Sequence, residues 1–209
     1  MKKWALLTLP ILLLGVGAYI TVGNTFKFTT GYKMASASTG EHSFLTEKEI
    51  QEIKEGEPST TEGSPSVQSV SYSEKPKTGQ NFGDLYIPKL DAVLPIVHGT
   101  SEEDLEKGVG HFAGSVLPGE NDNSVLAGHR DTVFRKLGEV GINDDLIVKT
   151  SAGTFTYKVR EVKIVDSDDR TVIVSMPKAT LTVSTCYPFT FIGPAPQRYV
   201  LIADLVSSK

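Results

Sequence analysis

The chain has 209 residues, room for one domain of ordinary size plus an appendage. Its formal charge of −4 comes from residues 81–209, where 13 Lys and Arg meet 17 Asp and Glu, while residues 1–80 balance at eight Lys and eight Glu. With no basic stripe and no aromatic–basic interleaving this argues against a nucleic-acid partner, and a single cysteine, Cys186, rules out an internal disulfide framework.

In chain order, Lys2 and Lys3 precede a run from Trp4 to Phe26 that is 23 residues long and carries no charge; a bilayer core needs about 20. The positive-inside bias keeps the N-terminus in the cytoplasm and sends the rest of the chain outward. "MASAS" offers an Ala-x-Ala at Ala35 and Ala37, but it lies well past the apolar run, whereas a signal-peptide cleavage site follows its apolar region closely. The expectation is an uncleaved signal anchor, a single-pass transmembrane segment over residues 1–26. Residues 27–80 are rich in Ser, Thr, Glu, Gly and Pro and read as a polar stalk holding a domain off the membrane; the alternative is a piece of the domain itself. Within it, "HSFLTEKEIQEIKEGEP" has Thr46 and Glu49 spaced as a capping box, with Pro58 beyond, and predicts a short helix. The following "STTEGSPSVQSVSYSEKPKTGQ" cannot bury enough apolar surface to offset chain entropy.

From Asn81 the texture changes. "FGDLYIPKL", "AVLPIVHG", "NSVLAGH", "DLIVKTS", "GTFTYKVREVKIVD", "ATLTVSTC" and "RYVLIADLVS" are short β-branched or aromatic runs separated by Gly, Pro, Asn and Asp. That spacing predicts an all-β sandwich or barrel over residues 81–209. Two brief helical signals interrupt it: "SEEDLEKG", with Ser101 as N-cap and Gly108 past its end, and "DTVFRKLGEV", from Asp131 to near Gly138. The acidic pairs Asp144-Asp145 and Asp168-Asp169, with Asp166, read as turn-forming and solvating rather than as a metal site.

Strand alternation in "TLTVSTC" puts Leu181, Val183 and Thr185 on one face and Thr180, Thr182, Ser184 and Cys186 on the other. A lone cysteine outside the cell is a pairing partner for another chain, an inert buried residue or a reactive thiol. The polar setting of Cys186 is unlike that of a structural cysteine. A free thiol has a pKa of about 8.5, so a nucleophilic one needs a nearby cation or base. Of the four histidines, His42 lies in the stalk, and His129 ranks first because it ends a strand beside a loop, with His111 second and His98 third. Each of them also reads as an ordinary hydrogen-bonded histidine. Acyl transfer needs a donor for the developing oxyanion; Arg198, twelve residues after Cys186 on the last strand, can reach it if the two strands are antiparallel neighbours, and is otherwise a solvent-facing strand-end arginine.

Together, "GVGHFAGSVLPGENDNSVLAGHRDTVFRKLGEV", "TLTVSTCYPF" and "APQRYVLIADL" resemble the sortases. The resemblance covers residues 82–206, and the segments "CYPF" and "GHRDTVFRKL" are most similar to class D. It implies a closed eight-stranded β-barrel with one or two short helices and a cysteine transpeptidase on a Gram-positive cell surface, needing no cofactor. It further implies that Cys186 forms a thioacyl enzyme with a Leu-Pro-x-Thr-type sorting signal and that His129 protonates the leaving amine. Arg198 would orient substrate and stabilise the oxyanion, and Thr185 would line the pocket. The partners implied are sorting-signal-bearing surface proteins and an acceptor amine on peptidoglycan or its lipid-linked precursor. A pilin-polymerising enzyme and a surface cysteine peptidase that mainly hydrolyses are the alternatives. The first is disfavoured by the lack of Asp between residues 27 and 80, since pilus-building members typically carry an aspartate-aromatic lid, and by the lack of a second apolar run before Lys209.

Overall fold

The computed structural model describes residues 13–19, 21–22, 44–55, 70, 72–190, 193 and 195–209. Eight strands form a closed barrel: β1 (Asn81–Ile87), β2 (Ala92–His98), β3 (Val109–His111), β4 (Asn123–Gly128), β5 (Asp145–Thr150), β6 (Gly153–Asp166), β7 (Thr180–Tyr187) and β8 (Gln197–Ser208). Around the barrel they run β1-β2-β3-β4-β7-β8-β6-β5. Closure gives each strand a hydrogen-bonded neighbour on both sides over at least part of its length, which limits the exposed-edge liability of an all-β chain. Six of the neighbouring pairs are antiparallel; β2/β3 and β4/β7 are parallel. A parallel pair cannot be joined by a tight hairpin, and the β2-to-β3 connection accordingly carries the short helix α2 (Glu102–Leu105).

The barrel interior is the core. Leu85 and Ile87 of β1, Leu94 and Ile96 of β2, Leu126 of β4, Leu146 and Val148 of β5, Leu181 and Val183 of β7 and Leu201 of β8 are all buried in it. Along β6 the inward positions Phe155, Tyr157 and Val159 alternate with more exposed ones, the period-2 signature of a strand with one wet face. Each fully buried large apolar side chain contributes about 1.5–3 kcal/mol relative to exposure.

β1 is buried on both faces because a helix covers its outside. Helix α1 (Glu47–Glu55) has the expected capping box: Thr46 N–H donates to Glu49 Oε2 at 3.0 Å, and Glu49 N–H returns to Thr46 Oγ1 at 3.3 Å. Leu45 and Ile50 pack on Tyr86 and Ile147 of the outer barrel wall. Leu45 N–H donates to the buried Asp84 carboxylate at 3.0 Å, and Lys149 pairs with Glu49 at 3.0 Å. Tyr72 continues the attachment, donating its hydroxyl to the Pro118 carbonyl at 2.7 Å. Of the expected anchor, residues 13–19 and 21–22 are helical with Leu13, Leu14 and Tyr19 exposed, and the remainder lies outside the described residues. No helix among the described residues is long and apolar enough to cross a membrane.

Candidate active site

Topology gathers the three candidate groups at one rim. β7 pairs antiparallel with β8 so that Cys186 stands directly opposite Arg198. β4 pairs parallel with β7 so that Gly128 stands opposite Thr185. One residue further along those two parallel strands come His129 and Cys186, so both emerge at the same end of the barrel. Arg198, near the start of the antiparallel β8, completes the group.

Local bonds fix each member. Thr185, expected to line a pocket, is only 3% exposed, and its hydroxyl donates to the Gly128 carbonyl at 2.8 Å. It therefore ties the strand carrying Cys186 to the residue before His129. Gly128 has no room for a side chain: a Cβ there would lie 2.6 Å from the Phe134 ring and 2.8 Å from Val133. His129 is about one-third exposed, and its Nε2 lies 3.5 Å from Glu102 Oε1 at the start of α2. That helix is itself held by a capping box between Ser101 and Asp104. Arg198 Nη1 donates to the carbonyls of Ala195 and Gln197 at 3.2 and 3.0 Å, anchoring its guanidinium one strand across from the thiol. Cys186 is part-exposed and unpaired. Behind it Tyr187, Phe189 and Tyr199 pack ring against ring, with centroids 5.3–6.4 Å apart, and the Tyr199 hydroxyl donates to the Val140 carbonyl at 2.7 Å.

Arg130 was not singled out by its sequence context, yet it is 5% exposed and spans the site. Its Nη1 donates to the Pro188 carbonyl and its Nη2 to the Gly193 carbonyl, both at 2.9 Å. Its only signal in the sequence is a charge beside His129 in "AGHRD", which reads equally well as a solvated arginine.

His98 and His111 lie elsewhere. His111 pairs with Leu126 of β4, and β4 separates it from β7. The two imidazoles stack with centroids 5.1 Å apart and share a hydrogen bond of 3.0 Å between their Nδ1 atoms, under the edge of Phe82. Asp144 and Asp169 serve turns: Asp144 accepts the Gly141 N–H at 2.7 Å, and Asp169 accepts the Thr171 N–H at 2.6 Å.

A closed barrel that presents a thiol, an imidazole and a guanidinium from adjacent strand ends is equipped for covalent acyl transfer: a nucleophile, a proton donor and a cation for the oxyanion. The comparisons with known proteins give this arrangement its family. The Sortase domain family model matches residues 85–206, and the chain belongs to the sortases, which are cysteine transpeptidases. It is 44% identical to Sortase D of Bacillus subtilis (strain 168) over 178 residues, covering 85% of this chain and 90% of that one. Among solved structures, the catalytic domain of B. anthracis SrtD is similar at 40% identity and a TM-score of 0.56, over 66% of this chain and 95% of that one. The Clostridium perfringens Sortase D5 transpeptidase aligns at 28% identity and a TM-score of 0.58, over 64% and 83% of the two chains. Class D is thus the branch of the family that this chain resembles.

Proposed function

We propose that this protein is a membrane-anchored sortase that cleaves a Leu-Pro-x-Thr-type sorting signal on surface proteins and transfers the acyl fragment to a cell-wall amine, on peptidoglycan or its lipid-linked precursor. The reading is carried by the cross-strand pairing of Cys186 with Arg198 at the rim where His129 also emerges. A cysteine transpeptidase needs a nucleophilic thiol, and the chain contains one cysteine.

In this reading the Cys186 thiolate attacks the threonine carbonyl of the sorting signal. The carbonyl oxygen takes up the negative charge of the tetrahedral intermediate. Arg198 faces that charge with its Nε and Nη2 edge, because its Nη1 is committed to the carbonyls of Ala195 and Gln197. Collapse re-forms the carbonyl and expels the downstream amine, which takes a proton from the imidazolium of His129, leaving a thioester on Cys186. An incoming amine attacks the thioester, His129 accepts its proton, and the thiolate is released with a new peptide bond formed. Thr185 serves the pocket from behind, by holding the strand end that carries His129 in register with Cys186. The uncharged run from Trp4 to Phe26, preceded by Lys2 and Lys3, supports a cytoplasmic N-terminus and an extracellular barrel.

Incubation of the protein with a sorting peptide and a primary amine tests this. The expected product is the amine adduct of the peptide truncated after threonine, lost in Cys186→Ala and reduced at least about a hundredfold in His129→Ala and Arg198→Ala. His98→Ala should leave turnover nearly unchanged. A hydrolysed peptide with no adduct at any amine concentration would sink the transferase reading.

A further inference from the structure

We infer that Arg130 is a positioning residue that sets how the thioester is partitioned between the acceptor amine and water. The inference rests on the transpeptidase reading above and adds a determinant of its outcome. Arg130 follows His129 directly, so its backbone moves with the proposed acid. Its side chain reaches the other half of the site: Pro188 lies two residues after Cys186, and Gly193 lies five residues before Arg198. The guanidinium donates to both of their carbonyls at 2.9 Å, while its Nε lies 3.4 Å from Asp131 Oδ1. One buried planar group therefore holds the His129 strand end, the exit from Cys186 and the approach to Arg198 in a single register. Only a guanidinium does this at a stroke, since its fork offers parallel donors that a lysine ammonium or an amide lacks.

The chemical consequence follows from the unequal demands of the two acceptors. Aminolysis of the Cys186 thioester forms a C–N bond and requires a bulky amine to align with the carbonyl while its proton passes to His129. Hydrolysis forms a C–O bond from a small molecule at high concentration, which can approach from a wider range of directions and with a less well-placed base. Loosening the register between His129 and Cys186 therefore harms aminolysis more than hydrolysis, because precise orientation supplies a larger share of its rate. A purely structural arginine would behave differently. Its loss would lower the folded, active fraction and scale both products equally.

The product ratio separates these cases because it does not depend on how much enzyme is active. The full-length protein and its Arg130→Lys variant are each incubated with the sorting peptide and one fixed concentration of amine. Transferred and hydrolysed peptide are then quantified by mass spectrometry, alongside thermal unfolding. Arg130→Lys keeps the charge, but its ammonium cannot bridge both carbonyls in the same geometry; Arg130→Gln provides a second, neutral variant if the first does not fold. We expect the transfer-to-hydrolysis ratio to fall roughly tenfold. A variant that unfolds at lower temperature yet keeps the wild-type ratio would overturn the inference. Wild-type protein that makes no amine adduct would instead overturn the transpeptidase reading itself.

Discussion

At the residue scale, the pair His98–His111 shows how burial decides protonation. His111 Nε2 faces the Val116 carbonyl at 2.9 Å, and a carbonyl can only accept, so the hydrogen-bond network assigns the proton to Nε2. Its Nδ1 then accepts from His98 Nδ1–H. Burial pushes the His111 pKa down to about 4, opposed by the Val116 bond and assisted by His98. Burial also lowers His98, against the pull of Asp104. Because the folded pKa of His111 lies below its ordinary value of 6.5, its contribution to stability is complete above about pH 6.5 and is lost as pH falls from there towards 4. The full loss is on the order of 3 kcal/mol. Denaturant midpoints measured from pH 7 to pH 4.5 should fall more steeply in wild type than in His111→Asn, which cannot gain the proton; parallel curves would refute the assignment. At Thr185 the expectation is different, since its hydroxyl answers a buried carbonyl. Thr185→Val should cost about 1–3 kcal/mol and lower turnover of a sorting peptide, because Gly128 O loses its partner directly beside His129. Unchanged stability in urea unfolding would show that the bond does not hold the two strand ends together.

At the scale of elements, helix α1 and the segment after His129 are the most instructive. The sequence "TEKE" announces α1 through its capping box, but nothing local says where the helix goes. Its docking depends on Tyr86 and Ile147, outward positions on β1 and β5 that are apolar only because a helix covers them. α1 sits on the wall built around β1 and β5, with β2 and β3 between it and β4, and β6 between it and β8. Ile50→Ala should therefore destabilise the protein by about 2 kcal/mol while leaving peptide turnover at low temperature unchanged; loss of turnover in a folded variant would place α1 in the catalytic machinery. The segment from Asp131 to Gly138 carries a helical pattern yet forms successive turns and a 3-10 helix at Leu137–Glu139. Thr132 and Phe134 N–H both donate to the His129 carbonyl, and Arg135 N–H donates to Thr132. Thr132 and Val133 are β-branched and Gly138 is close behind, so the stretch is too short and too weak in propensity to propagate an α-helix. Burial of Val133, Phe134, Leu137 and Val140 fixes the turns instead.

At the scale of the whole molecule, seven strands were legible as short β-branched or aromatic runs bounded by turn residues. β3 was not: Val109–His111 is three residues long, and its pairing with β2 and β4 is set by the barrel rather than by its own pattern. The alternation that puts Cys186 opposite in phase to Leu181 and Val183 was legible, since it is local. Spacing admitted a Cys186–Arg198 pair and a strand-end position put His129 first among the histidines, but only family resemblance implied their convergence. That convergence depends on β4 and β7 lying side by side, and such a long-range parallel pairing leaves no mark in either strand's sequence. Arg130 was missed for a related reason, as its burial is imposed by Pro188 and Gly193 from a distant loop. In the proposed function this assembly makes Cys186 the nucleophile of acyl transfer. Mass spectrometry of the intact protein after exposure to a Leu-Pro-x-Thr-type peptide tests it most directly. The expected result is a mass increase equal to the acyl fragment ending in threonine, mapped to Cys186, absent from Cys186→Ala and discharged by added amine. Amine-transfer product formed at the wild-type rate by Cys186→Ala, or a covalent adduct mapped to any other residue, would contradict it.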